Sequence, residues 1–405
     1  MNPYAIAEIV AGRGIQWDSI KEPRKLLEEI LKVKAEEIFD IKNPILNPRI
    51  QIERDGTVKE LSESEATTRV TKFLAARTPI PEIPKANEGL GLLLRLAVPS
   101  IADAKLRNVL IDSVRDIIKD KEKDWAPPRT EWIDKGDYFE DLSEYDDPIQ
   151  GALADCYLIA AMSAVAWSRP YAIINAVRPS KQDDEESPIH QLVFCKDGSA
   201  AQAVEVTERV PVQEGSHAWM YARSYDKDEI WPAVMEKAYA KWRIGTKSDR
   251  PDYNVIAYGD PCLACAELVG GKRYYYDHPN YYSSYDQALL YSTIKSNTIS
   301  GRTVNPVVTW TYTTPPKDLD YFGAGVVACH AYTILGVDTY KDEDYIVLRN
   351  PWGTHHATLD TRPGSWTIGQ TSSFIGMQIP LNYKGVFSMR FKTFLRYFAG
   401  TGIVK

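Results

Sequence analysis

Along the first third of the chain, apolar residues recur at helical spacing between charged faces. Ile20 to Phe39 sets Leu26, Leu27, Ile30, Leu31 and Ala35 on one side. Ser62 with Glu65 three residues on has the capping-box pattern of a second helix start. After a proline-rich break at Thr78 to Pro84, Ala102 to Lys119 aligns Leu106, Val109, Leu110, Val114, Ile117 and Ile118 as a third amphipathic helix. The pattern changes at the charged, doubly prolined stretch Asp120 to Pro128. Beyond it, apolar helices at 156–167 and 231–243 are joined by short β-branched runs at 190–195, 203–211, 305–312, 330–336 and 345–349. These elements predict a helical region over residues 1–125 and an α+β domain over 126–405.

Composition narrows the function class without naming one. A chain of 405 residues with 44% hydrophobic and 25% charged residues is long enough for two domains with buried cores. Its 48 basic residues against 55 acidic ones, a formal charge of −7, are interspersed, so no polybasic face points to nucleic acid or to a membrane surface. The apolar stretch Gly89 to Ala102 is interrupted by Arg95 and Pro99 and falls short of a span, and Met1 to Gly14 lacks a leader's apolar core. Five cysteines are too few and too scattered for a disulfide framework. A reducing, cytoplasmic location is therefore expected. Asp183 to Glu186 reads as a solvated acidic loop.

The chemistry begins at Asp155-Cys156-Tyr157-Leu158. Asp155 suits an N-cap, which puts Cys156 at the first helical position, where uncapped amides and the positive end of the helix dipole acidify a thiol. The competing reading is an inert, packed cysteine, the usual fate of a lone one. A base decides between them. Of six histidines, His190, His217 and His278 sit among polar or turn residues, and His355 and His356 follow Gly353, which predicts surface positions for all five. His330 instead opens the strand His330 to Gly336, followed by the polar loop Asp338 to Asp344 and the strand Tyr345 to Asn350.

With the loop centred on Tyr340, opposed residues have numbers summing to 680, so His330 faces Asn350 across the hairpin. Opposed Cβ atoms lie about 5 Å apart, close enough for the Asn350 oxygen to hold one ring nitrogen of His330 and leave the other for a thiol. A later register puts Leu335 opposite Asn350 and removes the pairing; spacing alone does not choose. Gln150, six residues before Cys156 across the small-residue stretch Gly151 to Ala154, completes the set as an oxyanion donor together with the Cys156 amide. Taken alone it would be an ordinary surface residue.

These blocks resemble the calpains, a family of papain-like cysteine proteases. Gln150 to Leu158 is similar to their cysteine block and Glu229 to Lys241 to the helix between their two subdomains. His330-Ala331-Tyr332 resembles their histidine block, Leu348 to Gly353 their asparagine block, and Gly385 to Leu395 the segment closing their core. The resemblance runs from about 137 to 398. It implies a papain-like core and an endopeptidase acting on protein substrates, with Cys156 as nucleophile, His330 as base and acid, Asn350 as orienter, Gln150 as oxyanion donor and Trp352 shielding the Asn350 to His330 contact. Tyr157 replaces the family's usual tryptophan and Cys329 its usual glycine. No cofactor is required by this chemistry. Asp147 and Glu229 align with one calcium site of the family, while Thr354-His355-His356 lacks the acidic residue of the other and no EF-hand loop follows, which argues against full calcium gating.

Cys262 and Cys265 have C-x-x-C spacing without a second ligand pair and read as structural. The clusters Tyr274 to Tyr276 and Tyr281-Tyr282 read as a loop over the cleft. Residues 1–125 resemble nothing identifiable, and occlusion of the cleft, autoproteolytic removal and docking of a regulatory protein all suit amphipathic helices. Two other functions stay open: a catalytically silent interaction module on the same fold, and a Cys-His acyltransferase or amidase, which usually orients its histidine with an aspartate.

Overall fold

A computed structural model describes residues 124–405, except 128, 141, 180–186, 197, 282, 314 and 370–375, together with 50–52 and 58–60. The three helices expected in residues 1–125 lie outside the described residues. What is described there is a strand pair, β1 (Ile50–Ile52) and β2 (Val58–Glu60), which the helical reading lacked.

From residue 124 the chain builds two halves. The first carries β3 (Thr130–Ile133), α1 (Cys156–Ser168), α2 (Pro170–Ala176), β4 (Val177–Pro179), β5 (Ile189–Lys196), β6 (Ala200–Thr207), β7 (Val210–Gln213), α3 (Trp231–Ile244) and α4 (Pro261–Val269). Every residue of α1 from Cys156 to Trp167 is buried, as a helix apolar on all sides must be. Helix α3 starts with Pro232 in its first turn and stops at Gly245, whose φ of +69° provides the left-handed cap. The single strand expected at 203–211 is two, β6 and β7. Helix α4 was not expected, yet Asp260 caps it by accepting from the Cys262 and Leu263 amides at 2.8 and 3.2 Å.

The second half carries β8 (Arg273–Asp277), α5 (Ser284–Lys295), β9 (Thr298–Ile299), β10 (Arg302–Thr303), β11 (Val307–Thr311), α6 (Tyr321–Ala324), β12 (Ala331–Tyr340) and β13 (Glu343–Arg349). It ends with β14 (Ser365–Ile368), β15 (Met377–Pro380), β16 (Val386–Arg390), α7 (Phe391–Tyr397) and β17 (Phe398–Val404). Its antiparallel sheet runs β16-β13-β12-β11-β17-β8, with β10 and β9 branching from β12. Alternation sends Val308, Ala331 and Val404 into the core around α1 and α4, and Val307, Tyr332 and Ile403 into a second core with α5 and α7. The sheet is thus the layer between two sets of helices. The tyrosines at 274–276, expected in a loop, form edge strand β8, where pairing with β17 claims their backbone groups.

The hairpin β12–β13 carries the main correction to the sequence reading. Its strands continue to Tyr340 and Glu343, and the turn is only Lys341-Asp342, with φ of +51° and +60°, a tight two-residue turn matching the strand twist. Thr333 therefore faces Arg349, and a bulge at Leu335 shifts the register between Ile334 and Gly336. At Gly336 a Cβ would lie 2.0 Å from the Gly301 carbonyl oxygen, so no other residue fits that crossing. His330 is not directly opposite Asn350, and neither register considered from the sequence is the one formed.

Candidate active site

Cys156 opens α1, and Asp155 precedes it at the N-cap position. Asp155 does not cap: its side chain accepts no bond from the first-turn amides. It is fully buried beside Glu236 of α3, whose Oε2 accepts from the Ala222 amide at 3.1 Å. Burial pushes the Asp155 carboxyl up to about 7 and Glu236 well above the ordinary range, Glu236 further because Asp155 lies next to it. The helix dipole at Cys156 is thus left without a capping anion.

His330 sits one residue before β12, after Cys329 in the left-handed region at φ +53°. Its backbone is gripped by Thr311: the His330 amide donates to Thr311 Oγ1 at 3.0 Å, and the Thr311 amide donates to the His330 carbonyl at 3.0 Å. The ring bonds to Asn350 after all, Nε2 to Oδ1 at 2.9 Å. This contact is diagonal across the hairpin, which side chains of this length can span. Three bonds fix the Asn350 amide, because Oδ1 also accepts from the Trp352 amide at 3.1 Å and Nδ2 donates to the His355 carbonyl at 3.2 Å. Oδ1 therefore accepts from Nε2–H, and the Nδ1 lone pair of His330 is left open, with no bonding partner among the described residues.

Trp352, almost wholly buried, lies over the imidazole with ring centroids 4.7 Å apart. Burial pulls His330 down to about 3, against the opposing effect of the Asn350 bond, with His355 lowering it further. The ring is neutral at pH 7. Tyr332 lies 5.0 Å from the His330 ring, and burial pushes its phenol up, with nearby Cys156 adding to the effect.

The element that opens with Cys156 and the hairpin that follows His330 are joined by a set of bonds between the halves. Thr333 Oγ1, three residues after His330, donates to the Ala160 carbonyl, one helical turn after Cys156, at 2.7 Å. Arg349, fully buried, donates from Nη1 to Ser163 Oγ at 2.7 Å and from Nη2 to the Asp146 and Pro148 carbonyls at 2.8 and 2.9 Å. The Gln150 amide donates to the Pro351 carbonyl at 3.0 Å. Gln150 is wholly buried rather than at the surface, and its side-chain nitrogen donates to the Leu153 carbonyl at 2.7 Å, tightening the loop that leads into Cys156.

Thr311, Thr333, Arg349 and Glu236 were missed from sequence. Two of them could have been found, since a charge inside an apolar run, as at Ile346 to Arg349 or Val234 to Glu236, must be bonded where it lies. Of the five histidines predicted at the surface, only His217 is exposed, and His356 is half-buried. His278 is buried between the Phe398 carbonyl at 2.8 Å and Thr401 Oγ1 at 2.9 Å, and burial pulls it down to about 3. His190 bonds Glu208 at 2.5 Å. Half-buried His355 bonds the Gly325 carbonyl at 3.0 Å and is pulled down to about 4 by burial. Cys262 and Cys265 are buried within α4, in keeping with a structural role.

A second polar cluster adjoins the site. Glu144, Asp146 and Asp147 each place an oxygen within 4.8 Å of the others. Asp147 accepts from the Glu144 amide at 2.6 Å and from Trp231 Nε1 at 3.0 Å, while Glu229 accepts from Ser224 Oγ at 2.8 Å. Burial, together with the charges of Glu229 and Asp146, pushes Asp147 up to about 8. Buried carboxyls gathered this closely offer the oxygen ligands that a hard divalent cation takes.

Among the described residues, no helix is long and apolar enough to cross a membrane. The family model "Calpain family cysteine protease" matches residues 107–405. Among similar proteins are a thiol protease of Porphyromonas gingivalis, 30% identical over 228 residues, covering 53% of this chain and 46% of that protein. Calpain-A of Drosophila melanogaster is 25% identical over 293 residues, 69% of this chain and 33% of its own length. The calpain-1 catalytic subunit of Mus musculus is 25% identical over 282 residues, 68% of this chain and 37% of its own. The chain thus spans less than half the length of each of these relatives. With the family model covering most of its length, the chain belongs to the calpain family of cysteine proteases.

Proposed function

We propose that the chain is a cysteine endopeptidase using Cys156, His330, Asn350 and Gln150. The observation that carries this reading is the orientation of His330: Nε2–H is held by Asn350 Oδ1 at 2.9 Å, so Nδ1 is the basic nitrogen, on a neutral imidazole near an uncapped helix N-terminus bearing a thiol. In this reading Nδ1 takes the Cys156 proton and the sulfur attacks a peptide carbonyl carbon. The oxyanion is met by the Cys156 amide and the Gln150 side chain. His330 then protonates the leaving nitrogen as the C–N bond breaks, leaving a thioester. Water, deprotonated at Nδ1, adds to the thioester and the C–S bond breaks, releasing the acid and restoring the thiol.

The chemistry requires no cofactor and is not expected to depend on calcium; were a calcium ion to bind, Asp147 and Glu229 would hold it beside the loop leading to Gln150. Residues 1–125 would control access to the site. The test uses the full chain and its Cys156→Ala variant with an unfolded protein substrate and a thiol-directed covalent inhibitor, with and without calcium. Cleavage and Cys156 labelling that vanish in the variant are expected. Absence of both in the wild type, even after deletion of residues 1–125, sinks the assignment, whereas labelling without cleavage favours the acyltransferase or amidase reading. A triad-dependent fragment starting near residue 125 would mark autoprocessing.

A further inference from the structure

The turn between β15 and β16 is bent by left-handed residues, with φ of +62° at Asn382, +49° at Lys384 and +78° at Gly385. It is closed by the Val386 amide on the Tyr383 carbonyl at 2.9 Å and the Asn382 amide on the Val386 carbonyl at 2.7 Å. Its inner side is fastened to the site: the Asn350 amide donates to the Gly385 carbonyl at 3.0 Å, and a Cβ on Gly385 would lie 2.7 Å from the Asn350 carbonyl oxygen. From this anchored turn, Lys384 reaches the other half. Its Nζ is 2.5 Å from Asp146 Oδ2 and 3.8 Å from the Tyr225 ring centroid, and Tyr383 and Tyr225 bring their hydroxyls to 3.4 Å. Tyr225 belongs to the same ensemble as Asp146, since its amide donates to the Asp147 carbonyl at 2.8 Å.

We propose that Lys384 is a positioning residue: a tethered cation that pairs with Asp146 and so draws the loop leading to Gln150 and Cys156 against the turn holding Asn350. An exposed lysine–carboxylate pair would be worth too little to do this. Here Asp146 is buried and Lys384 is only 20% exposed, so the pair is largely desolvated, and removing one partner leaves a buried charge without its counterion. The pair also has company: Arg349 holds the Asp146 carbonyl from the same half that supplies Lys384, so backbone and carboxylate of one residue are pulled in one direction. Nothing comparable to a tether is needed for stability alone, since the halves already share the Thr333 and Arg349 bonds. What Lys384 adds is placement of the segment six to twelve residues ahead of the nucleophile.

The experiment compares the full chain with Lys384→Met, Lys384→Arg and Asp146→Asn, all in chelator. It measures amide hydrogen exchange over residues 144–150, the alkylation rate of Cys156 by iodoacetamide, melting temperature, and kcat and KM on a peptide substrate. Lys384→Met is expected to speed exchange over 144–150 and to lower kcat about 10-fold with KM little changed, as sub-ångström misplacement of reacting groups does. Lys384→Arg restores both, and Asp146→Asn reproduces the Met variant. The proposal falls if exchange over 144–150 is unchanged in Lys384→Met, or if Lys384→Arg is as impaired as Lys384→Met. The kcat readout rests on the endopeptidase reading, whereas exchange does not. A chain without peptidase activity whose 144–150 exchange responds to Lys384 would overturn that reading and keep this one.

Discussion

The half that carries Cys156 and the half that carries His330 treat ionisable groups in the same way with opposite outcomes. Around α1 the buried acids Asp147, Asp155 and Glu236 are all pushed up, mainly by burial. In the sheet half His330, His278 and His355 are all pulled down, again mainly by burial. One half keeps its protons and the other refuses them, so both favour uncharged side chains near neutral pH. Where charge survives it is paired or bonded: within the halves at Arg243 with Glu267 and Arg362 with Asp338, and where they meet at Arg349 and at Lys384 with Asp146. In the reading proposed above, the site lies at this boundary, with Cys156 supplied by one half and a neutral His330 by the other.

The sharpest way to break the contrast is to remove what orients the imidazole. Asn350→Ala should reduce kcat/KM by on the order of 10²- to 10³-fold, since the ring loses its fixed tautomer, and steady-state peptide hydrolysis would show it. Next is the fastening between halves. Arg349→Met leaves Ser163 Oγ and the Asp146 and Pro148 carbonyls without their buried donor and should cost about 3 kcal/mol in urea unfolding.

The pH dependence of stability then separates the halves. His330 and His278 take up protons near 6.5 when unfolded and near 3 when folded, so the unfolded state binds more protons between these values and stability falls as pH drops through that window. Asp155, ordinarily near 3.8, is held at about 7, so the folded state binds more protons there and stability falls as pH rises. Glu236 shifts in the same upward direction. Melting temperature should therefore peak at mildly acidic pH. Glu236→Gln should flatten the decline above pH 6.5 and leave the decline below pH 4 in place; an unchanged alkaline limb would refute the account of the helical half. The smallest effect is at Cys329. Its φ of +53° strains any residue with a Cβ, so Cys329→Gly should raise stability by less than about 1 kcal/mol in thermal melts, strain relief being partly offset by glycine's entropy.

The sequence reading succeeded where burial is uniform and failed where it depends on distant partners. Helices α1 and α3 were readable because an all-apolar or Pro-to-Gly bounded run has one outcome. The hairpin was found, but its register was missed, because the bulge at Leu335 is set by the crossing of Gly301 and Trp366 over Gly336. The His330 to Asn350 contact survived that error for a simple reason: the register was off by two near the site, and a slip of two keeps side chains on the same face. His278 looked exposed among Asp277, Pro279 and Asn280, while its cover comes from β17 more than a hundred residues later. Helix α4 did announce itself locally, through Asp260-Pro261 and Gly270, and β8 did not, since tyrosines serve loops and edge strands alike. Asp155 shows the limit of capping rules, because a nearby buried carboxyl claims the side chain first.

The bonds that join the halves also have a consequence for biosynthesis. Thr333 reaches Ala160 across 173 positions and Arg349 reaches Ser163 across 186. A nascent chain emerging from the ribosome presents Cys156 long before His330 exists and cannot close these long loops until the sheet half has been translated. By this ordering the proposed site cannot assemble before the sheet half has been made, and its completion is a late folding event.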